Sequence, residues 1–186
     1  DARTPESLRL SMFSHQVAGH KQKQMLKGNG IIFKPLNPTE AKFYESLHSL
    51  HDPDTILPFL PKYHGRTYID HNKQITHYII LEDLTYNFLY PCICDVKVGT
   101  QGWDQDASIS KALQQRVICS FTTSLSLGFR VCGMKIYRSA FGKYEARDSI
   151  WGAALSKATM KDALMDFFHT GIRFRVELIL PLLQKL

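Results

Sequence analysis

PCICDVKVGT, residues Pro91 to Thr100, decides how the chain is read. Its β-branched and apolar residues predict a strand ending at Gly99, and alternation puts Cys92, Cys94, Val96 and Val98 on one face. Ile93, Asp95 and Lys97 take the other, so a carboxylate and an ammonium share a face. At the end of a strand such a pair suits phosphoryl transfer: the carboxylate orients or deprotonates an attacking hydroxyl and the lysine holds an acceptor phosphate. The same two residues also fit a plain surface ion pair.

Working outward, ITHYIIL at Ile75 to Leu81 reads as a second strand, and Glu82 to Tyr90 joins the two. Glu82-Asp83-Leu84 is a candidate hinge whose backbone groups could meet an adenine edge. From Gln16 to Leu36 the pattern is strand, turn, strand, with the Asn-Gly chemistry of a hairpin in KGNG at Lys27 to Gly30. Asn37-Pro38-Thr39-Glu40 then supplies an N-cap, a proline at the first helical position and a glutamate in the first turn, ahead of Ala41, Phe43, Tyr44 and Leu47 at helical spacing. LPFLPKYHG reads as a Pro-punctuated loop. Lys34, at the end of the hairpin, and Glu40 have the spacing of an ion pair with which a kinase grips nucleotide phosphates; a capping carboxylate and a solvated strand end are the plainer account.

Downstream, Ala107 to Cys119 reads as a helix, Phe129 to Tyr137 as a strand, and Gly142-Lys143 as the turn into a partner at Tyr144 to Arg147. Ser156 caps a helix running to His169 and stopping at Gly171, and Leu178, Leu182 and Leu186 mark the apolar stripe of a final helix. Lys111, Gln114 and Gln115 share a helical face with Arg116 alongside. That face is either a cradle for a highly phosphorylated small molecule or simply solvated.

The composition, 44% hydrophobic, supports one substantial core or two small lobes around a cleft, and the coarse class is α+β. A net charge of +6 points to an anionic partner, be it nucleic acid, a membrane surface or a small polyphosphate. No interleaved aromatic and basic stripe supports nucleic acid, so none is expected. No apolar run has the length of a membrane span and the N-terminal residues lack a signal peptide's apolar core, which predicts a soluble intracellular protein. Cys92, Cys94, Cys119 and Cys132 form no metal or disulfide framework and are expected to be reduced and mostly buried, and the scattered histidines form no zinc pattern. No G-x-G-x-x-G or Walker-A sequence is present. Both ends of the chain look cut.

HQVAGH at His15 to His20, FKPL at Phe33 to Leu36, FYESL at Phe43 to Leu47, LPKYHG at Leu60 to Gly65, LEDLT at Leu81 to Thr85 and the PCICDVKVGT strand occur in the order found in inositol polyphosphate kinases. The chain resembles that family, whose signature is P-x-x-x-D-x-K-x-G, and LGFRVCGMKIY at Leu127 to Tyr137 with FFHTG at Phe167 to Gly171 extends the match. The resemblance implies a two-lobed α+β fold related to protein kinases, with residues 1–84 as N-lobe and hinge, an antiparallel N-lobe sheet, and residues 85–186 as a partial C-lobe. It implies that Lys34 contacts ATP phosphates with support from Glu40, that Glu82 and Leu84 offer backbone groups to adenine, and that Asp95 lies between nucleotide and acceptor. Lys97, Lys111, Gln114, Gln115 and Arg116 would bind the inositol phosphate.

HQVAGH, LPKYHG and SKATMKDALMDFFHTG look like inositol polyphosphate multikinases, while DASISK and TSLSLGFRVCGM look more like inositol hexakisphosphate kinases; the multikinase is the first choice. Cys119 stands where multikinases tend to have a pocket lysine. The family's S-S-L-L and I-D-F motifs are not among these residues, so the aspartate that binds Mg2+ is expected beyond Leu186. A catalytically weak scaffold that binds ATP and inositol phosphate is the alternative to an active kinase. The expected protein is a monomer of nucleus and cytoplasm acting on inositol polyphosphates, with phosphoinositide lipids as further candidates.

Overall fold

Asn29 and Gly30 both take positive φ, 51° and 78°, which is the geometry an Asn-Gly hairpin turn requires. In the computed structural model, which describes residues 2–3, 9–17, 24–47, 56–71, 73–104 and 107–183, this turn organises the first of two sheets. Its strands are β1 (Ala2–Arg3), β2 (Ser11–Met12), β3 (Leu26–Gly28), β4 (Ile31–Pro35), β5 (Tyr63–His71) and β6 (Gln74–Glu82), in spatial order β1-β5-β6-β4-β3-β2. The hairpin's first arm is the short β3, not a strand from Gln16. Gln16 and Val17 belong with the other sheet, where the neighbouring His15 ring packs edge-on to Tyr144, while residues 18–23 lie outside the described ones. The sheet is also not wholly antiparallel: β1 runs parallel to β5, an arrangement that needs a long connection and here has one.

LPFLPKYHG is only partly a loop. Leu57–Phe59 makes a short 3-10 turn, and from Tyr63 the chain is the strand β5, paired along its length with β6. Gly65, at φ 100°, sits in a register shift between Tyr63 and Arg66, where a bulge lets a strand pass through a residue that would otherwise break it. Helix α1 (Pro38–Ser46) follows β4, and the Asn37 side chain accepts from the Thr39 N–H as a cap should. Ala41, Tyr44 and Leu47 of this segment pack with Ile79 and Leu81 of β6, and Tyr44 stacks on Tyr63 with ring centroids 5.3 Å apart.

The second sheet is β7 (Ile93–Val98), β8 (Phe129–Arg138) and β9 (Lys143–Arg147), antiparallel in that order. Around it lie α2 (Ile109–Phe121), α3 (Ser124–Leu127), α4 (Ser149–Ala153), α5 (Lys157–Phe167) and α6 (Val176–Leu183). Ser108 and Ser156 cap α2 and α5, the latter in a reciprocal box with Thr159. The sequence reading does not include helices α3 and α4; α4 is capped by Asp148, whose carboxylate accepts from the N–H groups of Ile150 and Trp151. Val131, Met134 and Ile136 of β8 and Met160 of α5 form the buried centre. In α6 the expected stripe does not pack as a whole: Leu178 is 43% exposed, and Leu186 lies outside the described residues.

Two units result, Asp1–Ser14 with His20–Leu89 and His15–Gly19 with Tyr90–Leu186. The division falls after Leu89 and not after Leu84. Asp83 donates its N–H to Gly30 O at 2.8 Å and the Tyr86 ring covers Gly30, which holds the turn after β6 to the first sheet. Among the described residues no helix is long and apolar enough to cross a membrane. All four cysteines are free: Cys119 and Cys132 are buried and Cys94 half-buried, but Cys92 is exposed, contrary to expectation.

Candidate functional site

In the first unit the final residues of β4 and the first turn of α1 converge. Lys34 Nζ donates to Glu40 Oε1 at 2.7 Å, so Glu40 is an ion-pair partner more than a capping carboxylate. A carboxylate in a first helical turn is favoured by the helix dipole, which leaves the ammonium pinned but 41% exposed and able to meet a phosphate. Glu82 closes β6. Its N–H donates to Lys62 O at 2.9 Å and its Oε2 accepts from the Lys62 N–H at 3.2 Å. Leu84 follows in an exposed turn. Sequence reasoning gave the Asp83 side chain, between them in the hinge, no role of its own: it is 5% exposed, and its Oδ1 accepts from both the N–H and the hydroxyl of Thr85, fixing the turn that carries Leu84.

In the second unit Asp95 and Lys97 share a face of β7, as alternation requires, with Lys97 Nζ 4.0 Å from Asp95 Oδ1. Asp95 is opposite Gly133, but the register then shifts: Val96 faces Val131 and Lys97 faces Arg130, leaving Cys132 as the extra residue of a bulge in β8. Were Cys132 paired in regular register, Lys97 would face Val131. An open cavity of about 260 Å3 lies here, lined by Lys97, Gln101, Asp104, Cys119, Ser124 and Arg130 among others. Arg130 is a second residue that sequence reasoning missed.

The α2 residues are divided. Gln115 reaches the cavity wall, its Oε1 only 3.0 Å from where a side chain at Gly102 would begin. Lys111, Gln114 and Arg116 are exposed on α2 and do not line the cavity. Cys119 does line it. Beside Asp95, the Cys94 thiol is pushed up to about 11, first by burial and then by the neighbouring carboxylate, so it is no nucleophile.

The second unit thus carries a strand carboxylate two residues from a lysine that lines the cavity, and the first unit a lysine-glutamate pair at a strand-helix junction. The family model for inositol polyphosphate kinase matches residues 78–186. The chain belongs to the inositol polyphosphate kinase family. The inositol polyphosphate multikinase of Rattus norvegicus is 33% identical over 186 residues, covering 92% of this chain and 46% of that protein. Inositol hexakisphosphate kinase 1 of Rattus norvegicus is 38% identical over 115 residues, 62% of this chain and 27% of that one. The crystal structure of an S. cerevisiae inositol phosphate multikinase in complex with ADP and Mn2+ aligns with a TM-score of 0.63 at 29% identity, covering 75% of this chain and 58% of that one. The mixed helix-and-sheet architecture is therefore that of the family, and the chain spans about half the length of the curated multikinases it matches.

Proposed function

We propose that this chain carries the nucleotide and acceptor sites of an ATP-dependent inositol polyphosphate kinase of the multikinase type. The observation that carries the reading is the Asp95 and Lys97 pair on one face of β7, with Lys97 lining a cavity walled by a second cation, inside the segment that matches the family.

On the nucleotide side, Lys34 meets ATP phosphates and Glu40 keeps the ammonium in place. Because the Glu82 N–H is already committed to Lys62, its contribution to adenine is the carbonyl, an acceptor for an exocyclic amine; Leu84 presents backbone from the turn that Asp83 fixes. On the acceptor side, Lys97 and Gln115 hold phosphates or hydroxyls of the inositol ring, while Lys111 and Arg116 give longer-range attraction to a polyanion and the neutral Gln114 acts only on a group within hydrogen-bond reach. An inositol hydroxyl attacks the γ-phosphorus, its proton passing to the Asp95 carboxylate. A new P–O bond forms as the bond to the β-phosphate oxygen breaks and ADP leaves.

Among the described residues no group of three or more His, Cys, Asp or Glu comes together to hold a metal ion, so no step here runs through one. A divalent ion such as Mg2+ accompanying ATP, as Mn2+ accompanies ADP in the yeast structure, would neutralise phosphate charge.

The 38% identity to a hexakisphosphate kinase favours a second reading, in which the acceptor is already fully phosphorylated and the product is a pyrophosphate. Incubation with radiolabelled ATP, Mg2+ and a panel of inositol phosphates, with products separated by charge, decides between them. Label in the less phosphorylated acceptors supports the multikinase; label only in hexakisphosphate supports the second reading. Binding of both ligands with no labelled product would leave a scaffold and overturn both.

A further inference from the structure

Arg130 is 8% exposed, yet its only hydrogen-bond acceptors among the described residues are neutral. Nη1 lies 3.2 Å from Ser124 Oγ and 3.6 Å from Cys119 Sγ. None of the ion pairs of the described residues includes it. The bulge at Cys132 places it directly across from Lys97 on the same face of the sheet, so two cations occupy a cross-strand pair. Like charges in that position repel, and a buried charge without a counter-ion is costly. Asp104 is the carboxylate among the lining residues, and it lies beyond ion-pair distance of both. The remaining guanidinium nitrogens are not sealed off, since the buried polar atoms lacking a partner do not include them. Arg130 lines the same open cavity as Lys97.

We infer that Lys97 and Arg130 together form an anion cradle that takes one phosphomonoester group of the ligand, with Arg130 as a binding residue at the cavity wall. A dianion between the two side chains offsets their repulsion and gives the guanidinium charge-assisted hydrogen bonds that Ser124 and Cys119 cannot supply. Ser124, 1% exposed, and Cys119 orient Nη1 and leave the other nitrogens for the ligand. The proposal deepens the acceptor side of the function above and rests on that reading for the identity of the ligand, but not for the existence of the cradle.

The test is calorimetric titration of the chain with inositol hexakisphosphate, and flotation with vesicles containing a phosphatidylinositol bisphosphate, comparing wild type with Arg130→Gln and Arg130→Lys. ADP titration serves as the control for the first unit. Arg130→Gln is expected to weaken the anion about tenfold to a hundredfold and Arg130→Lys to recover part of it, with ADP affinity unchanged. Dependence on Arg130 in the soluble arm identifies a free polyphosphate, and dependence only in the vesicle arm a lipid headgroup. Equal binding by wild type and Arg130→Gln in both arms overturns the cradle, as does absence of anion binding by the wild type. Should Arg130→Gln not fold, the Arg130 Nε–Hε resonance of the wild type decides: it shifts on adding inositol hexakisphosphate, and an unmoved resonance overturns the proposal. A chain that transfers phosphate while Arg130→Gln binds normally removes the cradle alone. One that shows Arg130-dependent binding without transfer removes the kinase reading alone.

Discussion

Lys34 Nζ and Glu40 Oε1 are 2.7 Å apart, joining the end of β4 to the first turn of α1. Neither side chain is buried, at 41% and 24% exposure, so the pair contributes no more than about 1 kcal/mol to folding. In the proposed function its value lies in holding an ammonium where a phosphate can reach it. Lys34→Ala is therefore expected to lower ADP affinity at least about tenfold by calorimetry, while the melting temperature stays within a few degrees of wild type. Glu40→Gln should lose less, because the lysine remains. An Lys34→Ala variant that bound ADP normally would remove this residue from the nucleotide site.

Arg138 has the opposite balance. Its side chain is 5% exposed, and it ties β8 to β9 through Glu145 Oε2 at 2.9 Å and to α5 through Asp166 Oδ1 at 2.5 Å and the carbonyls of Asp166 and His169. Arg138→Met leaves these acceptors without their donor and should cost about 3 kcal/mol in urea unfolding. The pH dependence follows from Glu145, whose carboxyl is held below its ordinary value of 4.5, chiefly by the hydrogen bond from Arg138. A folded-state value below the unfolded one means this contribution is complete above about pH 4.5 and is lost as pH falls through the folded value. Wild type should lose stability in that acid range more steeply than Arg138→Met; parallel profiles would count against the assignment.

Much of this arrangement is legible in the sequence, and the exceptions have physical causes. The Asn29-Gly30 hairpin, the Asn37 and Ser156 caps and the alternation of Asp95 with Lys97 are local signals, read within a few residues. Strand β5 is hidden because Pro58, Pro61 and Gly65 read as loop punctuation, and only pairing with β6 makes a bulge of Gly65. Arg130 is hidden for a similar reason. Its cross-strand partner depends on register, and the extra residue Cys132, which sets that register, leaves no mark in composition.

Gly152 of α4 is a sharper test of packing on β8. A Cβ there would lie 2.2 Å from Val131 O, a backbone atom that cannot swing aside. Alanine is the better helix former by about 1 kcal/mol, but the clash outweighs it. Gly152→Ala should destabilise by about 3 kcal/mol in chemical denaturation. A stabilised variant would show that α4 and β8 do not meet as described.

The cysteines should separate by environment. Cys94, with its thiol near 11, carries little thiolate at pH 8, and Cys119 and Cys132 are buried, whereas Cys92 is exposed with its Sγ accepting from the Tyr137 N–H at 3.2 Å. Brief iodoacetamide treatment of the folded chain, followed by peptide mass spectrometry, should find the adduct on Cys92 and reach the other three only after unfolding. Fast modification of Cys94 would contradict the packing of β7.

The most direct test of the central claim is single-turnover transfer of radiolabelled phosphate from ATP to an inositol polyphosphate by wild type and by Asp95→Asn, with ADP and acceptor binding measured on the same samples. The account predicts transfer by the wild type and a loss of at least about a hundredfold in Asp95→Asn, with both ligands still bound. Undiminished transfer by Asp95→Asn, or no transfer by a wild-type chain that binds both ligands, would contradict it.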